Sequence, residues 1–69
     1  MTRKQKQALL SYLGAYDGPL DGIWGDKSRQ ATIDFQRAYM DSVDGIFGEA
    51  TEQRILEVVA SGEKPRVQI

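Results

Sequence analysis

Two aspartates, Asp21 and Asp44, each open the phrase Asp-Gly-Ile-aromatic-Gly, and the copies stand 23 positions apart. Paired carboxylates can do two kinds of chemistry. One is cleavage of a glycosidic bond, with one group as acid and the other as base or nucleophile. The other is coordination of a hard cation, since an Asp-Gly loop running into a helix outlines a dockerin-type or EF-hand calcium site. Other reactive side chains are few. The chain has no cysteine and no histidine. That excludes disulfides, Cys/His zinc centres, a cysteine nucleophile and any histidine-based triad.

Spacing argues against both uses of the aspartates. With Gly22 in the invariant glycine position of a calcium loop, the ligand positions fall on Asp17, Pro19, Asp21 and Ser28. With Gly45 there, they fall on Met40, Ser42, Asp44 and Thr51. Neither copy has the closing acid that a calcium loop requires. No metal and no cofactor is therefore expected. A hydrolase needs a deep, water-excluding cleft, and 69 residues rarely build one. No serine has an evident base partner. Asp21 and Asp44 are expected to accept N–H bonds inside their own turns.

The elements that position these residues are three helices and no sheet. The spacing predicts a first helix from about Thr2 to Leu13. Thr2 and Gln5 have capping-box spacing, Leu9, Leu10 and Leu13 form a stripe that Tyr12 and Tyr16 extend, and Gly14 is the stop. Arg3 and Lys4 oppose the dipole of its first turn. A second helix is predicted from Asp26 or Lys27 to Tyr39, capped by Asp26, with Ser28, Ala31, Phe35, Ala38 and Tyr39 on one face. A third runs from about Glu49 to Ala60, with Thr51, Ile55, Val58 and Val59 inward and Gly62 at its end. Gly22 and Gly45 suit turns needing positive φ, and Gly25 and Gly48 sit where the chain swings into the next helix. Ile23 and Ile46 are expected to point into the core, with Trp24 and Phe47 across the neighbouring loop or helix. Residues 1–62 read as one all-α, compact three-helix bundle built from two loop-helix repeats. Residues 63–69 read as a linker or tail, because Pro65 stops a helix and charges surround it.

Composition narrows the function classes. Nine basic and ten acidic residues give a net charge of -1. Between Asp17 and Glu57 there are nine acids against four bases. No helix of that acidic middle carries a basic face, which argues against a nucleic-acid partner. No apolar run nears the ~20 residues of a membrane span, so no membrane insertion is expected. After Arg3, Lys4 and Lys6, only Ala8-Leu9-Leu10 is apolar, too short for the core of a signal peptide.

Further residues surround the repeat. Gly14-x-Tyr16-x-Gly18-Pro19-x-Asp21-Gly-Ile-x-Gly25 is followed by Ser28-x-x-Ala31-x-x-x-Phe35-Gln36. Val43-Asp44-Gly-Ile-x-Gly48-x-x-Thr51 completes the series. This arrangement, over about residues 5–60, resembles the peptidoglycan-binding domain of bacterial and phage cell-wall hydrolases. The Thr2–Phe35 stretch looks most like domains carried by clostridial and phage-type D-Ala-D-Ala carboxypeptidase-like peptidases. The resemblance implies a three-helix, non-catalytic module that holds an attached amidase, muramidase or peptidase on the wall. It implies peptidoglycan as the partner, a covalently linked catalytic domain, and a location at the cell wall, extracellular or phage-delivered; Lys64-Pro-Arg reads as the start of a connection, which puts that domain after Ile69, and the chain is expected to be a monomer. A scaffold role toward the attached enzyme alone is the alternative. Two positions depart from the family pattern. Lys6-Gln7 stands where Leu-Gln is frequent, and Met40-Asp41 where Gly-Leu is frequent, so Tyr39 or Met40 is expected to fill the vacated core position.

Peptidoglycan offers sugar faces, N-acetyl groups, peptide amides and carboxylates. A binder needs aromatic faces, amide partners and a cation in a shallow groove. The candidates are Tyr16, Trp24, Tyr39 and Phe47 for stacking, Gln36 for peptide groups from the flank of its helix, and Arg37 for a carboxylate. Asp21, Gly22, Gly25, Asp44, Gly45 and Gly48 are the structural turn residues.

Overall fold

The computed structural model describes residues 1–62. The expected linker at 63–69 lies outside the described residues. Three helices appear in chain order: α1 (Arg3–Tyr12), α2 (Asp26–Tyr39) and α3 (Glu49–Ala60). Each packs on the other two. Among the described residues there is no strand, and no helix is long and apolar enough to cross a membrane.

Local chemistry sets the helix ends. Thr2 caps α1 through a complete capping box: its hydroxyl accepts from the Gln5 N–H, and the Gln5 side chain accepts from the Thr2 N–H. α1 closes in a Schellman arrangement, with the Ala15 N–H on the Leu10 carbonyl and the Gly14 N–H on the Ser11 carbonyl. The reversal turns the chain so that Tyr16 faces inward. The cap of α2 differs from expectation: Gly25, not Asp26, is the N-cap, and no side chain bonds to the first turn. Gly48 does the same for α3. Asp26 and Glu49 instead lie in the first turns, where a negative charge suits the helix dipole. Left-handed backbone occurs at Gly22 (φ 80°) and Gly45 (φ 74°), the second residue of each repeated phrase. A Cβ is strained there, and at Gly45 it would also crowd Ile33 at 3.3 Å.

The core joins Leu10 and Leu13 of the first segment, Tyr16, Ala31 and Phe35, then Phe47, Ile55 and Val58. Tyr39 lies on Phe35 at 5.1 Å between ring centroids, and Met40 packs beside it. Both are partly buried against the core. Arg54 ties α3 to α2 by donating to the Tyr39 carbonyl at 2.8 Å. Three expectations are corrected. Ile23 and Ile46 do not enter the core; they are 70% and 65% exposed. Tyr12 and Ala38 also face outward. Each loop phrase must place its carboxylate and its carbonyl around a buried glutamine, and that geometry turns the isoleucine to solvent.

Candidate functional site

Each Asp-Gly-Ile loop is built around one glutamine side chain from the preceding helix. Gln36 is 1% exposed. Its Nε2 donates to Asp44 Oδ1 at 3.0 Å, the Ile46 carbonyl at 3.1 Å and Thr51 Oγ1 at 3.0 Å. Its Oε1 accepts from the Gly45 N–H at 2.9 Å and the Asp44 N–H at 3.2 Å. Gln7, fully buried, repeats the pattern. Its Nε2 donates to the Ile23 carbonyl and Ser28 Oγ, both at 3.0 Å, and to Asp21 Oδ1 at 3.5 Å. Its Oε1 accepts from the Gly22 N–H at 2.9 Å. The amide group fits because it carries both donors and acceptors in one plane. Among the described residues, no buried side-chain nitrogen or oxygen lacks a partner.

The aspartates accept hydrogen bonds inside these turns. Asp21 Oδ1 accepts the Ile23 N–H and Asp44 Oδ1 the Ile46 N–H, both at 2.9 Å. The Ile46 N–H and the Gln36 amide hold the Asp44 carboxyl below the ordinary aspartate range. Among the described residues, no group of three His, Cys, Asp or Glu side chains is placed to hold a metal ion.

The two loops meet along an open groove of about 600 Å³. Trp24 and Phe47 line it and touch edge to face, with centroids 5.9 Å apart and planes at 86°. Phe47 is 8% exposed and belongs to the core, while Trp24 is half-buried. Lys6 crosses both rings, its Nζ 5.9 Å from the Trp24 centroid and 5.1 Å from that of Phe47. The same ammonium donates to the Phe47 carbonyl at 3.4 Å. Arg3 and Arg29 complete a basic wall, with Ile46 at the rim.

The candidates from the sequence therefore divide. Trp24 and Phe47 come together in the groove. Tyr16 is buried, and its hydroxyl donates to the Pro19 carbonyl at 2.6 Å. Gln36 lies in the interior and not on the helix flank, its amide engaged by the second loop. Tyr39 is half-buried on Phe35, away from the groove. Arg37 is exposed and does not line the groove. Sequence reasoning missed Gln7, Lys6, Arg3 and Arg29. The signal for Gln7 was its twin: a glutamine before each Asp-Gly, with a hydroxyl seven residues after each aspartate. Unequal spacing hid it, because Gln7 precedes Asp21 by 14 residues and Gln36 precedes Asp44 by 8.

A family model, the peptidoglycan binding domain, matches residues 2–55, which is 54 of the 69 residues. The chain belongs to the peptidoglycan-binding domain family. The match takes in both glutamines, both loops and all three groove cations. Membership assigns the chain to binding of peptidoglycan and its place of action to the cell wall, and the family is a helical binding domain. Searches of curated proteins and of solved structures each returned no match.

Proposed function

We propose that this peptidoglycan-binding domain engages the wall through the groove between its twin loops, and that it holds an attached cell-wall hydrolase on the polymer. The observation that carries the reading is Trp24: a half-buried indole on a loop pinned by a buried glutamine, set against Phe47. A ring fixed in this way stacks on sugar faces or N-acetyl methyl groups without losing side-chain freedom on binding. Shallow contact makes the lone domain a weak binder, and tethering raises effective concentration for the enzyme it carries. The module itself is non-catalytic in this reading, since both loop carboxylates serve their own turns.

The test is co-sedimentation of the purified chain with insoluble wall sacculi. Ile46 lines the groove but is mostly exposed, so Ile46→Ser is expected to weaken pelleting by about fivefold and leave the melting temperature unchanged. Pelleting equal to wild type in both Ile46→Ser and Trp24→Ala would remove the groove from the wall-binding role. For the tether, fusing the chain to a hydrolase without its own wall affinity should speed lysis at low enzyme concentration. Unchanged lysis would leave binding without targeting.

A further inference from the structure

We propose that the groove reads charge as well as shape: a free carboxylate of the wall's peptide stem seats among Arg29, Arg3 and Lys6. This rests on the groove being the wall-binding surface and names the part of the polymer that it selects. The groove is lined by three cations and one acid, Asp26, in a chain whose net charge is -1. Basic character is concentrated there against the sign of the molecule.

These cations have unused capacity. The ion pairs among the described residues are Lys27–Asp17 and Arg54–Glu57, so none of the three has an acidic partner within 4.0 Å there. The guanidinium groups of Arg3 and Arg29 donate no hydrogen bond to the described residues. Among the described residues, Lys6 Nζ donates to the Phe47 carbonyl alone, and an ammonium carries three donors. Lys6 is also held in place over two rings, so its charge is oriented before a ligand arrives. Arg29 lies against the second loop, its Nε 3.6 Å from where a Cβ on Gly45 would stand. Planar forks of N–H groups match the two oxygens of a carboxylate. Sugar hydroxyls and N-acetyl groups carry no charge that would call for three cations. The stem peptide carries carboxylates, and a stem lies next to the sugar that Trp24 would stack on.

The experiment measures pelleting of the full chain with native sacculi and with sacculi whose carboxyls have been converted to methylamides. Amidation is expected to weaken binding by about fivefold or more at low salt, with the gap narrowing as salt is raised severalfold. Arg29 is exposed, so Arg29→Gln should fold normally and bind native and amidated walls nearly alike. A synthetic stem pentapeptide, but not its fully amidated form, should shift the Trp24 indole N–H resonance. Equal binding to native and amidated walls, or undiminished discrimination by Arg29→Gln, overturns the proposal. Loss of binding only when wall phosphates are stripped, with amidation having no effect, also overturns it and assigns the cations to phosphate. If Trp24→Ala and Ile46→Ser lose binding while amidation does nothing, the charge inference falls and the groove stands. If those two variants bind as wild type, both fall.

Discussion

The first loop and the second follow one plan and differ in how far they are drawn into the core. Both circle a buried glutamine, both carry aspartate-to-isoleucine turns, and both end at a hydroxyl in the next helix. In the second, Gln36 accepts two backbone N–H groups and reaches its aspartate at 3.0 Å. In the first, Gln7 accepts one and lies 3.5 Å from its aspartate, with the Tyr16 hydroxyl added at 3.3 Å. The longer first connection inserts Tyr16 and relaxes the ring of contacts. The aromatic residues follow: Phe47 is core, and Trp24 stays half-buried. One motif thus yields one loop whose aromatic ring is core and one whose ring is half-buried at the groove, and the difference lies in tightness and not in design.

The aromatic pair offers the sharpest way to break that contrast. Phe47→Ala should remove about 3–4 kcal/mol of stability. That is most of what a domain of this size has, so helical circular dichroism at room temperature should fall steeply. Trp24→Ala should cost about 1–2 kcal/mol, yet reduce wall pelleting by about tenfold in the folded fraction. Reversed roles would end the distinction between the loops.

The glutamines come next. Gln36→Leu orphans the Asp44 and Gly45 N–H groups, whereas Gln7→Leu orphans that of Gly22. A loss of about 3 kcal/mol is expected for Gln36→Leu and about 1 kcal/mol less for Gln7→Leu, read from urea midpoints. Equal losses would show that the tighter hydrogen bonding of the second loop carries no energetic weight.

The smallest effect is in pH. Hydrogen bonds lower the folded-state value of Asp44 below its unfolded value of about 3.9. Its contribution is complete above that value and is lost as pH falls through the lower folded one. Thermal melts from pH 6 down to about pH 3 should show a decline that Asp44→Asn makes shallower. Superimposable profiles would remove the carboxylate from the stability of the second loop.

The helices were legible in the sequence because apolar spacing and glycine stops report them directly. α3 falls on the expected residues, and α2 on one of its two expected starts. The inner turns were legible through Asp-Gly. The groove was legible only in its aromatic members. Its cations were hidden because Arg3 and Lys6 read as an unremarkable basic start to a helix, and only the fold lays that helix beside the second loop. The direction of Ile23 and Ile46 was hidden for a related reason. Alternation along a loop has no fixed period, and a buried glutamine, invisible to hydropathy, decided which side chain turned out.

α2 begins beside one loop and ends beside the other, with Ser28 and Gln36 eight residues apart along it. That interval is a ruler of about 12 Å at helical rise. Slipping a single residue into it would swing Gln36 by about 100° away from the turn it supports. The tips at Ile23 and Ile46 lie off the ruler, so a change of side chain at either leaves the span between the two jaws at its gauge.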